Sequence, residues 1–122
     1  MRVRHPRVLD TTAIIALFDA HPPVVDLLDQ AERGYWNLLL PTTAIADAET
    51  HIKVGTGGWE PILLTPGVRS LTLSEHSAIE VGSWPGDLAT RHTVHEAYAM
   101  RAVVVTCQPG LYEGMLVPLL SV

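Results

Sequence analysis

Apolar residues follow two periodicities along the chain, and the alternation between them sets out the fold. Val8-Leu9 is a short apolar run that stops at Asp10; two hydroxyls follow, and Ala13-Ile14-Ile15-Ala16-Leu17 continues with helical spacing. This predicts a strand that ends on a carboxylate and leads straight into a helix. Asp19 to Pro23 interrupts the pattern, and Val24 to Ala31 resumes it at i, i+3 and i+4 until Gly34, which predicts a second, amphipathic helix. Asn37-Leu38-Leu39-Leu40-Pro41 is a continuous apolar run closed by proline, as in a strand buried on both faces of a parallel sheet. Thr42 to Ile52 reads as a helix with hydroxyls at its start and Asp47 and Glu49 in its body. The glycine-rich stretch Val54 to Pro61 reads as a flexible loop, a rim or a lid. Beyond it, Gly67 to Leu73 predicts a third strand, and Ser74 to Gly82 a helix that Ser74 and Ser77 are both placed to cap. Asp87 to Arg101 reads as an alanine-rich helix and Ala102 to Thr106 as a β-branched strand. Pro109 to Tyr112 predicts a short turn or helix, and Leu116 to Leu120 a last strand.

Strands that alternate with helices throughout imply a parallel sheet covered on both faces. Composition narrows this to one domain over residues 1–122, since 48% hydrophobic residues are enough for a core in a chain of that length. No apolar run approaches the roughly eighteen residues of a membrane span. The N-terminus, Met1 to Arg7, is basic but leads into a strand and not into a signal-peptide core, so a cytoplasmic protein with no membrane contact is expected. The single cysteine, Cys107, excludes an internal disulfide. A net charge of −5 excludes a surface that is basic overall, so contact with nucleic acid needs a local patch or a bridging metal ion.

Candidate chemistry centres on acids at strand ends, because ligands of parallel sheets gather there. Asp10 is the first candidate; its plainer role is to cap the helix that follows. Asp47 and Glu49 are two apart on one helix and face different ways, so at most one of them joins Asp10. Asp87 opens the alanine-rich helix, where capping is again the simpler role. His92 and His95 have a spacing that can serve zinc, yet no cysteine or carboxylate completes a set. With Leu88 and Ala99 they fall on one stripe, which reads as partly buried, hydrogen-bonded histidines. Cys107 follows the fourth strand without a paired base, and Gly55, Gly57 and Gly58 follow a helix, which excludes a phosphate loop.

Three stretches in order, Val8-Leu9-Asp10-Thr11-Thr12-Ala13, Leu40-Pro41-Thr42-Thr43-Ala44-Ile45-Ala46-Asp47-Ala48 and Val104-Val105-Thr106-Cys107-Gln108-Pro109-Gly110-Leu111-Tyr112, resemble the PIN domain family, including toxins of bacterial VapBC-type toxin–antitoxin pairs. The resemblance implies a three-layer α/β/α sandwich around a parallel sheet of four to five strands. It implies Mg²⁺ or Mn²⁺ as cofactor, cleavage of RNA, and an antitoxin protein and a homodimer as partners. Asp10 matches the family's first acid and Asp47 its second, where Glu is more usual. The third falls near Thr90, with Asp87 one turn earlier as a displaced candidate; the fourth is Gln108. On this resemblance Asp10, Asp47 and Asp87 are the expected metal ligands, and Thr106 is expected to orient phosphate or water. Two readings stay open: a divalent-metal-dependent ribonuclease, and a catalytically inactive PIN-like module that binds RNA or a protein partner.

Overall fold

The computed structural model describes residues 4–122, so Met1 to Val3 of the basic N-terminus lie outside the described residues. Five strands, β1 (Arg7–Leu9), β2 (Leu38–Pro41), β3 (Val68–Leu71), β4 (Val103–Thr106) and β5 (Leu119–Ser121), form one sheet in the order β3-β2-β1-β4-β5. Every pairing is parallel. The helices are α1 (Thr11–Phe18), α2 (Pro22–Glu32), α3 (Thr42–Ile52), α4 (Gly55–Leu63), α5 (Glu75–Val81) and α6 (Leu88–Met100).

The three central strands are apolar on both faces because both faces are covered. Val8 stands opposite Leu39 and Val104, and Leu9 opposite Val105, all fully buried. Successive residues point to opposite sides of a strand. Leu9, Leu38, Leu40 and Val105 therefore join Ile14, Leu17, Val24 and Leu27 in one core. Val104 packs with Val94, Ala97 and Tyr112, and Val8 and Leu39 with Ala102. This is the α/β/α sandwich that the alternation predicts. Truncating a side chain such as Leu40 to alanine costs about 2–5 kcal/mol at sites of this kind.

Three expectations need correction. The glycine-rich stretch is not a loop but helix α4. Its free N-terminal amides are met by the Glu49 carboxylate, which accepts from Val54 N at 3.1 Å and Gly55 N at 2.8 Å. The buried Trp59, edge-on to Phe18 at 4.6 Å, anchors its inner face. A cap and one large buried ring outweigh the poor helix propensity of Gly57 and Gly58. Ser77 does not cap α5; Ser74 does, and Ser77 lies buried inside the helix, within reach of the Ser74 hydroxyl at 2.9 Å. The last strand starts at Leu119, after Pro118, whose carbonyl accepts from Val104 N.

At Gly67 a side chain would run into the carbonyl of Ala31, so only glycine lets the chain pass α2 and enter β3. No single helix among the described residues is long and apolar enough to cross a membrane. Because all five strands run the same way, residues that follow strands collect at one end of the sheet and residues that precede them at the other.

Candidate functional site

At the C-terminal end of the sheet Asp10 leaves β1 in an extended conformation and caps α1. Its Oδ1 accepts from Ala13 N at 2.9 Å and from the Thr12 hydroxyl at 2.7 Å. Its Oδ2 accepts from the Tyr112 hydroxyl at 2.7 Å, and the residue is 2% exposed. Both oxygens are thus engaged inside the protein. Burial first, and then the Asp10 charge, pushes the Tyr112 hydroxyl far above its ordinary pKa, which keeps it a neutral donor. Tyr112 comes from the 3₁₀ turn Pro109–Tyr112 that follows β4. Sequence reasoning missed its part in the site. The available signal was an aromatic hydroxyl in the first turn after a strand end.

A chain of hydroxyls fixes Thr12. A threonine hydroxyl has one hydrogen to give. Thr12 gives its own to Asp10, so its 3.3 Å contact with Thr106 is donated by Thr106. Thr106 in turn accepts from Gln108 N at 2.9 Å, and Thr12 accepts from Cys107 N at 2.9 Å. Thr106 is fully buried with its hydrogen used, so it stands behind Thr12 and not at the surface where phosphate or water would be met.

Asp47 and Glu49 face different ways, as their spacing requires. Asp47 accepts from the Thr11 hydroxyl at 3.0 Å and turns to the Asp10 end. Glu49 turns away to cap α4, where the Trp59 indole N–H at 2.9 Å and then Gly55 N–H hold its carboxyl below the usual range. Asp87 caps α6, with one oxygen on Thr90 N at 2.9 Å and the other on the Thr90 hydroxyl at 2.8 Å. Asp10, Thr11, Thr12, Asp47, Asp87, Thr90, Gln108 and Leu111 line one cleft of about 150 Å³. Asp47 and Asp87 also border a wider groove of about 350 Å³ beside α3 and the start of α6.

The three acids expected as ligands therefore open on one cleft, but they are not arranged as a metal cage. Among the described residues no three His, Cys, Asp or Glu side chains converge closely enough to hold an ion. Asp10 has one acceptor position left, on the Oδ2 that also takes Tyr112, and Gln108 brings an amide and no charge to the fourth position. The donor set as built does not fit Mg²⁺ or Mn²⁺.

The histidine pair is structural, and only partly as its stripe suggested. His92 is fully buried and bonded through Nδ1 to the Thr43 hydroxyl at 2.7 Å, which ties α6 to α3. His95 lies 3.2 Å from Glu80. Leu88 and Ala99 do not share their burial: Leu88 is 45% exposed and Ala99 exposed, while Ala89, Val94 and Ala97 form the covered face. Burial lowers the pKa of His92, with nearby Glu96 opposing. Burial likewise raises the Cys107 thiol, which keeps it protonated and poorly nucleophilic.

The sequence matches no family model and no curated protein. The structure is similar to a chain in the crystal structure of VapBC2 from Rickettsia felis bound to a DNA fragment from their promoter, with a TM-score of 0.70 over 96% of this chain and 98% of that one. The chain has a PIN-like fold. At 11% identity the likeness is one of fold, and the PIN-like site must be judged on its own residues.

Proposed function

We propose that this chain is a non-catalytic PIN-like module that acts by binding a protein partner, in the manner of one member of a toxin–antitoxin pair. The observation that carries this reading is the closed state of Asp10, whose two oxygens are taken by Ala13, Thr12 and Tyr112. A carboxylate that is 2% exposed and held by three internal donors has one of its roughly four acceptor positions left, so an ion would meet a nearly filled group. In this reading Asp10 and Asp87 are helix caps, Thr12 and Thr106 hold the strand ends together, and the fold serves as a platform. The VapBC2 structure, bound to a DNA fragment from its promoter, makes a second protein the natural partner class.

The test is calorimetric titration with Mn²⁺ beside an RNA cleavage assay. No heat at millimolar Mn²⁺ and no cleavage are expected. Submillimolar binding together with cleavage lost in Asp10→Asn would overturn the reading. Co-expression with the product of the adjacent upstream gene should yield one complex on size exclusion, and the same column reports whether the chain alone is a dimer. The metal-dependent ribonuclease is the second reading, favoured by one observation: Asp10, Asp47 and Asp87 border the same cleft. It requires Mg²⁺ or Mn²⁺ to be held at the one acceptor position that Asp10 keeps beside Tyr112, with Asp47 and Asp87 turned toward it.

A further inference from the structure

The N-terminal end of the sheet carries a different chemistry. Here the chain enters β1, β2 and β4 side by side: Arg7 N donates to Asn37 O, and Val103 N to Pro6 O, both at 2.9 Å. These entries bring Arg4, His5 and Arg7, the pair Tyr35-Trp36, and Arg101 to one edge. The Arg4 guanidinium lies 4.6 Å over the Tyr35 ring and the Arg7 guanidinium 4.5 Å over the Trp36 ring. The two rings are 6.1 Å apart. Around the corner His5 and Arg101 line one cavity of about 450 Å³ with Tyr98. Of the acids nearest in sequence, Asp10 lies past β1 at the other end of the sheet, while Glu32 and Glu96 lie on α2 and α6.

We infer that this edge is a binding site for single-stranded nucleic acid, at the opposite end of the sheet from the acidic cleft. Three of the chain's eight Lys and Arg meet here, although thirteen Asp and Glu make the whole chain acidic. A guanidinium held over a ring has lost much of its freedom already, so it binds a phosphate at a small further entropy cost. Its outer face can stack a base, and Tyr35 is 42% exposed for the same purpose. Stacking needs unpaired bases, and three cations are too few to hold a duplex through its backbone alone, which favours a single strand. The site holds whether or not the acidic cleft ever takes a metal ion, so it stands apart from the proposed function.

The test is fluorescence anisotropy with a fluorescein-labelled single-stranded RNA of about 12 nucleotides, within the span of such basic and aromatic surfaces. Three phosphate contacts predict a slope of roughly −2 in log K against log salt. Arg4→Ala and Arg101→Ala, both at exposed positions, should each weaken binding roughly fivefold and flatten the slope by about 0.7. Asp47→Asn, at the far end, should leave the affinity unchanged. The inference is overturned if the arginine variants bind like the parent while Asp47→Asn binds more tightly, for then RNA sits at the acidic cleft. It is equally overturned if a duplex of the same length binds as well, or if vesicles containing phosphatidylserine bind and RNA does not. A fall in melting temperature with unchanged RNA affinity would mean that the stacked arginines serve only to pin the chain, and overturns it too.

Discussion

The two ends of the sheet are built from the same three central strands and differ in almost everything else. Where the strands end, acids and hydroxyls gather and satisfy one another: Asp10, Thr12, Thr106 and Tyr112 form a closed set of hydrogen bonds, all but Thr12 buried. Where the strands begin, the Arg4 and Arg7 guanidinium groups lie over aromatic rings, with Arg4 and Tyr35 exposed to solvent. The end that the fold marks as a site is the more finished piece of structure. Position in a fold makes a site possible, and the balance of donors against acceptors decides whether anything is left over to bind a ligand.

Removing Asp10 should therefore produce the largest effect. Asp10→Ala takes away a helix cap and leaves the buried Tyr112 hydroxyl and Ala13 N–H without an acceptor, for a loss of about 3 kcal/mol in urea unfolding. Asp10→Asn keeps the cap, and its amide can donate to the Tyr112 oxygen, so about 1 kcal/mol is expected. At the other end, Arg4→Ala should stay within about 0.5 kcal/mol. If Asp10→Asn instead stabilises the protein, the acids repel one another, and the end with the strand termini is a poised ligand site after all.

Tyr112→Phe comes next. It leaves Asp10 Oδ2 buried with no donor while the ring still packs on Val94, Ala97 and Val104, so about 2 kcal/mol is expected from the hydroxyl alone. An unchanged urea midpoint would mean that water reaches Asp10 freely and that the cleft is more open than its geometry implies.

The wall between α3 and α6 should respond to pH through His92. Burial lowers its pKa in the folded state, while Thr43 accepts or donates at Nδ1 and Glu96 and His95 are its charged neighbours. As pH falls below about 6.5 the unfolded chain takes up a proton that the folded chain refuses. Stability is then constant above that value and falls below it, by at most about 1.4 kcal/mol per pH unit, until the lower folded pKa is reached. His92→Gln should flatten this slope between pH 6.5 and 5. The same slope in parent and variant would assign it to another group.

Much of this could be read from residue order because periodicity records burial. The apolar runs at Val8-Leu9, Leu38 to Leu40 and Val104-Val105 are covered on both faces, and the caps at Asp10, Ser74 and Asp87 follow from residue type. What was hidden depends on contacts between distant residues. The glycine-rich α4 is held by contacts from outside it: Glu49, five to six residues earlier, meets the amides of Val54 and Gly55, and Trp59 is buried. The partnership of Tyr112 with Asp10 spans 102 residues, and its one local trace, an aromatic hydroxyl in the first turn after β4, does not name the partner. The Asp47 and Glu49 ambiguity was different, since spacing showed that they diverge and only the fold could say which one turns to the cleft.

The finest test separates the two reasons why the acidic end lacks a metal cage, a missing charge at Gln108 and the Tyr112 contact on Asp10. An added carboxylate and a cation about 4 Å apart at an effective dielectric of 20 attract by on the order of 4 kcal/mol per unit charge, most of which solvation removes in an exposed cleft. Gln108 is exposed and lines that cleft, so Gln108→Asp alone should change Mn²⁺ affinity by less than about threefold. Combining it with Tyr112→Phe frees the buried Oδ2 and should bring the gain to about tenfold, the effect of 1.4 kcal/mol. Calorimetry on the single and double variants measures both steps. If Gln108→Asp alone restores tight Mn²⁺ binding and RNA cleavage, Tyr112 does not close the site, and one absent charge is the whole difference between this end of the sheet and an active one. If neither variant binds, the cleft acids do not converge, and the contrast between the two ends is deeper than two substitutions.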